Sequence, residues 1–257
     1  MHRKSIKFIS TVKKISGKYI AAYTKLKAVS FLLYMLLIIC LIVLPLLASG
    51  YFERGYEIGS IAAASFSLEK APGINILIIG DSLLIETDWV ERFSFLLKGK
   101  YRFTRFGIYK DSKSGAMAEY GEKRIALDLI EYNPDIAIIA FGTNDVNVTE
   151  LETYRENMES MVGKSEKYGA EVFINFIGPF EPSACKEEYT RYNDIIKIIS
   201  YDYDVRVIDT HTPLTRNIEK YLADEMHYSY SGSEIVAKRV FNSITKYIDN
   251  EVITDNF

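Results

Sequence analysis

The chain has 257 residues, 48% of them hydrophobic and 25% charged, which excludes a disordered polymer and leaves room for one α/β domain of about 200 residues plus an appendage. A net charge of −3 hides an asymmetry: residues 1–52 carry eight Lys and Arg and no acid, while the remainder carries 23 bases against 34 acids. So acidic a main domain argues against nucleic acid as its partner, because phosphate binding needs a basic surface.

Residues 1–28 form a basic tail in which Ile6, Phe8, Ile9, Val12 and Ile15 suit one face of an interfacial helix or simply punctuate a flexible segment. Val29 to Ala48 is a run of twenty residues without a charge. At about 1.5 Å per helical residue it spans about 30 Å, the thickness of a bilayer's hydrocarbon core. The expectation is one transmembrane helix over 29–48, with the basic N-terminus cytoplasmic and the following chain extracytoplasmic. A cleaved signal peptide is the rival, since Ala48-Ser49-Gly50 supplies small residues, but its apolar core is ordinarily shorter. Residues 49–72, rich in Gly, Ser and Ala, read as a linker, and 73–257 as the folded domain. Cys40 lies in the apolar run and Cys185 stands alone in that domain, so neither a disulfide within it nor a cysteine metal cluster is expected.

Within the domain, Ile74-Asn75-Ile76-Leu77-Ile78-Ile79 reads as a strand buried on both faces. It ends in Gly80-Asp81-Ser82. Trp89 to Leu97 has helical spacing, Tyr101 to Ile108 reads as a strand, and 111–115 as a loop opening a helix near Ala116–Ile130. Ile136 to Phe141 is a second buried strand, followed by Gly142-Thr143-Asn144-Asp145. Leu151, Tyr154, Met158, Met161 and Val162 mark a helix, Val172 to Ile177 a strand, and Tyr192, Ile195, Ile196 and Ile199 another helix. Val205 to Ile208 is a short last strand, and Val236, Val240, Ile244 and Ile248 mark the closing helix. Such alternation predicts an α/β domain with a mainly parallel sheet and helices on both faces.

Four segments lie at strand ends or helix starts: Gly80-Asp81-Ser82, Ser114-Gly115, Gly142-Asp145 and Asp224-Glu225-Met226-His227. Each alone is ordinary turn sequence. Together they hold what acyl transfer needs. A serine hydroxyl requires a base within hydrogen-bond reach. Histidine is the usual base, and an acceptor on its other nitrogen fixes the tautomer. Asp224, three residues before His227, can fold back to be that acceptor. His211 also follows a strand and is the competing base, although no acid precedes it at that spacing. The backbone N–H groups of Ser82 and Gly115 and the Asn144 amide are candidate oxyanion donors. Asp145 is expected to tie down its loop.

This set resembles the SGNH (GDSL-like) hydrolase family over about residues 73–250, in the family's block order. Gly80-Asp81-Ser82-Leu83 resembles the first block, Gly115 the second-block glycine, Gly142-Thr143-Asn144-Asp145 the third block and Asp224 with His227 the fifth. The asparagine that often precedes the second-block glycine is absent. The resemblance implies a flavodoxin-like three-layer α/β/α domain and acyl-ester chemistry without metal or other cofactor. It also implies Ser82, His227 and Asp224 as the triad and Ser82, Gly115 and Asn144 as the oxyanion hole. A membrane-anchored extracytoplasmic esterase acting on acylated, most simply acetylated, small molecules or cell-envelope glycans is expected. The alternatives are an O-acyltransferase working with a membrane partner that exports acyl groups, an esterase of lipids, and a non-catalytic surface-binding domain.

Overall fold

Alternate residues of the first strand face opposite ways, and both faces are apolar. A computed structural model describes residues 73–182 and 188–252, with the side chains of 251 and 252 left aside. The tail 1–28, the apolar run 29–48, the linker 49–72 and Cys185 lie outside the described residues. Strand β1 (Ile74–Gly80) sends Ile76 and Ile78 into one core and Leu77 and Ile79 into another, all four fully buried. At about 1.5–3 kcal/mol per buried aliphatic side chain, this strand alone anchors both layers.

β1 pairs in parallel with β2 (Phe106–Ser112) on one side and β3 (Ile136–Ala140) on the other. β4 (Glu171–Asn175) and β5 (Arg206–Ile208) extend the sheet to the order β2-β1-β3-β4-β5, all parallel. This is the doubly wound order in which the chain reverses direction across the sheet between β1 and β3, where a crevice opens at the carboxyl ends of the strands. Helices α1 (Trp89–Lys100) and α6 (Tyr230–Tyr247) cover one face through Trp89, Phe93, Leu97, Val236, Val240 and Ile244. Helices α2 (Ala118–Tyr132), α3 (Leu151–Lys167) and α4 (Tyr189–Asp202) cover the other through Ile125, Leu129, Met158, Met161 and Ile196. A one-turn helix α5 (Ile218–Tyr221) precedes the segment carrying His227. Among the described residues no helix is long and apolar enough to cross a membrane.

Three boundaries differ from the periodicity. The second strand begins at Phe106, because Tyr101 closes α1: its N–H donates to the Leu97 carbonyl, and its hydroxyl reaches Asp249 at 2.6 Å. That strand also runs on through Asp111 and Ser112, expected to be loop, since an edge strand needs only one paired side and tolerates polar residues. Helix α2 starts at Ala118, two residues later than its apolar spacing suggests.

Asp111 belongs to a partly buried charged cluster. The Arg124 guanidinium donates to Asp111 at 2.7 and 2.9 Å and to Asp128 at 2.9 Å, and Tyr120 donates to Asp111 at 2.6 Å. Asp128 is fully buried. Burial and the neighbouring Asp111 charge push its carboxyl up to about 7, against the pull of Arg124. The folded state therefore keeps a proton that the unfolded chain releases near the ordinary value of 3.8. Its contribution to stability is full below about pH 4 and is lost as pH rises towards 7. Asp128→Asn retains the acceptor for Arg124 and removes the titration. Denaturant midpoints measured at pH 5 and pH 8 should differ less in the variant than in the wild type, and an unchanged difference would show that Asp128 does not titrate in this range.

Candidate active site

The register of the three central strands sets the site. Gly80 of β1 lies level with Ser112 of β2 and Ala140 of β3, so the loops that follow all three emerge at one edge. After β1, Asp81 accepts the Leu83 N–H at 3.0 Å and opens a 3-10 turn, Ser82–Leu84. Ser82 is its first residue, where a backbone N–H has no partner within the helix. The turn is buried through Leu83 and Leu84, so the serine is placed by packing as well as by hydrogen bonds.

His227 reaches this turn from the far end of the domain. Its segment is closed by a Leu222–Tyr228 antiparallel bridge and by the Ala223 N–H donating to the His227 carbonyl at 2.8 Å. Ser229 then caps α6 through the Gly232 N–H. One carboxylate oxygen of Asp224 accepts the backbone N–H groups of Met226 and His227 at 2.9 and 2.8 Å. The other lies 2.8 Å from His227 Nδ1. Burial tends to raise the Asp224 carboxyl, but the two backbone donors and the imidazole outweigh it and hold the group below its ordinary value. With Nδ1 donating to Asp224, Nε2 is left as the acceptor, and it sits 2.9 Å from Ser82 Oγ.

The remaining predicted residues lie on the loops that follow β2 and β3. Gly115 is exposed, with φ +73°, and a Cβ there would meet nothing, so the backbone conformation rather than space selects glycine. Gly142 has φ +130°, and a Cβ would run into the Ile177 side chain. The chain can therefore fold tightly over the end of β3. Asn144 Nδ2 donates to the Ala116 carbonyl at 3.0 Å, which ties the β3 loop to the loop carrying Gly115. A side-chain amide has a second N–H. Asp145 is buried, and both its oxygens accept the Ala118 N–H at the start of α2, at 3.2 and 3.0 Å. It holds its loop, as expected. His211 is not at the site: its Nε2 meets the Tyr189 hydroxyl at 3.2 Å, and burial lowers its pKa.

Two acids complete the electrostatics. Asp81 is fully buried, and desolvation pushes its carboxyl up to about 7, with Asp145 adding and the Leu83 N–H and Thr143 opposing. Glu86, which sequence reasoning passed over, has Oε2 3.3 Å from His227 Nε2 and Oε1 hydrogen-bonded to the Ser114 hydroxyl. The available signal was spacing: Glu86 lies four residues after Ser82, and its N–H returns to the Ser82 carbonyl at 2.8 Å. Among the described residues no group of three or more His, Cys, Asp or Glu could hold a metal ion.

A lipase/acylhydrolase of Enterococcus faecalis shares the fold at 20% identity and TM-score 0.60, over 67% of this chain and 96% of that one. An acetylxylan esterase of Geobacillus stearothermophilus does so at 20% identity and TM-score 0.60, over 69% and 96%. A multidomain esterase of Ruminococcus flavefaciens is 26% identical over 128 residues, 46% of this chain but only 16% of that protein's length. The sequence profile of the GDSL-like lipase/acylhydrolase family matches residues 78–235, which include the Ser82 turn, the Asn144 loop and the Asp224-to-His227 segment. The chain belongs to the GDSL-like lipase/acylhydrolase family.

Proposed function

We propose that this protein is a membrane-anchored, extracytoplasmic serine esterase that cleaves short acyl esters, acetyl above all, from cell-envelope glycans. The observation that carries the chemistry is the hydrogen-bonded series Ser82 Oγ, His227 Nε2, His227 Nδ1 and Asp224, with links of 2.9 and 2.8 Å. Ser82 Oγ attacks the ester carbonyl as His227 Nε2 takes its proton. Asp224 stabilises the imidazolium and keeps the ring oriented. The tetrahedral oxyanion is held by the N–H groups of Ser82 and Gly115 and by the second N–H of the Asn144 amide. Collapse breaks the bond to the alcohol oxygen, which receives the proton from Nε2. Water, activated by the same nitrogen, then releases the acid and restores Ser82.

The short acyl group rests on the acetylxylan esterase among the structural relatives. The location rests on the uncharged run 29–48 with eight basic residues before it. The glycan follows from that location and from the acetylxylan esterase among the structural relatives.

Treating the protein with a fluorophosphonate should add one adduct by intact mass, mapped to Ser82 and absent from Ser82→Ala and His227→Ala. A folded wild type that takes no adduct would overturn the esterase reading and favour a binding domain. Asp224→Asn should lower kcat by about 10⁴-fold through loss of the correct tautomer. Asn144→Ala should lower kcat by about 10²–10³-fold with KM little changed, the mark of a donor used in the transition state. A KM effect alone would remove Asn144 from the oxyanion hole. Acyl transfer to an added glycan that outpaces hydrolysis would instead identify an O-acyltransferase.

A further inference from the structure

The leaving alcohol in this reaction must come within hydrogen-bond distance of His227 Nε2, because that nitrogen returns the proton to it. The same nitrogen already has two neighbours, Ser82 Oγ at 2.9 Å and Glu86 Oε2 at 3.3 Å. Glu86 is the half-exposed one, and it stands at the edge of an open depression of about 450 Å³. A carboxylate only accepts hydrogen bonds. An alcohol whose ester oxygen sits at Nε2 therefore gains from Glu86 only if it carries a second hydroxyl close by. A simple alkyl or aryl alcohol brings no donor and leaves the charge facing it.

The depression has a second feature that suits such an alcohol. Tyr230, the first residue of α6, is 73% exposed on its wall. The Arg92 guanidinium stacks on its ring at 3.8 Å and is itself held by Asp88 at 2.8 Å. An exposed aromatic ring beside polar acceptors offers apolar stacking for the C–H face of a sugar and hydrogen bonds for its edge. The other acids at the depression are already engaged, Asp88 with Arg92 and Glu91 with Lys110 at 2.8 Å. This favours a neutral polyhydroxylated group over a cationic one.

We propose that Glu86 and Tyr230 form the subsite for the alcohol side of the ester, and that the alcohol is a sugar unit with a free hydroxyl beside the acylated one. The proposal rests on the esterase reading and names the substrate class for that same site. Glu86 selects by accepting from the neighbouring hydroxyl, and Tyr230 by stacking beneath the ring.

The test compares two acetyl esters on the full-length protein: 4-nitrophenyl acetate, whose leaving group has no hydroxyl, and a methyl glycoside with a single acetyl next to a free hydroxyl. Glu86→Ala and Tyr230→Ala should each lower the ratio of kcat/KM for the glycoside to that for the aryl ester by about tenfold or more. Ser114→Ala removes the contact between Glu86 and the Gly115 loop but keeps the carboxylate, so the ratio should stay near the wild-type value. An equal loss on both substrates in Glu86→Ala would make Glu86 a positioning residue for His227 and overturn the subsite. So would a wild type that cleaves the aryl ester and not the glycoside. Hydrolysis of neither ester would overturn the esterase reading and the subsite together.

Discussion

The candidate site depends on the hydrogen-bond register of β1 with its two neighbours. Backbone pairing brings Gly80, Ser112 and Ala140 to one level, and each strand is followed by a loop that carries part of the site. A slip of one residue along β1 would reverse the orientation of Ile76 to Ile79, moving each of those side chains to the opposite core. The packing of Ile76 and Ile78 on one side and Leu77 and Ile79 on the other therefore guards the position of Ser82. The Ser82 turn inherits its placement from apolar residues that make no polar contact at the site.

The loops are then locked to each other by polar groups. Asp145 on the β3 loop holds the start of α2, and Asn144 holds the Ala116 carbonyl. Glu86 joins the Ser82 turn to the Ser114 hydroxyl and to His227. Asp224 divides its two oxygens between the backbone of its own loop and the imidazole, so ring orientation and loop shape are one constraint. The carboxyls around the Ser82 turn differ in kind. Asp81, fully buried, resists ionisation, whereas Asp224, fed by two backbone donors, favours it.

Much of this was legible in the sequence because it rests on local pattern. β1 and β3 are continuous apolar runs, and the closing helix repeats every fourth residue through Val236, Val240 and Ile244, all buried as expected. Asp224 and His227 are three residues apart, a distance that one turn can close. β2 was harder, since it carries Lys110 and Asp111 where an interior strand would be apolar, and Tyr101 before it is drawn away by Asp249. Glu86 was legible only through its spacing from Ser82. Its contacts join residues 86, 114 and 227, and no property of Glu86 itself announces a neighbour 141 positions away. The union of Asp111, Arg124 and Asp128 is likewise a product of the fold, an edge strand meeting a helix.

The two outer strands have a consequence for behaviour at high concentration. β5 is only three residues long, and its Arg206 is engaged with Glu171 of β4. β2 ends in Lys110, Asp111 and Ser112, with Lys110 reaching back to the Leu84 carbonyl and to Glu91. Neither margin presents a long, flat, apolar row of free backbone groups to a second copy. At these two strands, growth of one sheet into that of a second copy is therefore disfavoured.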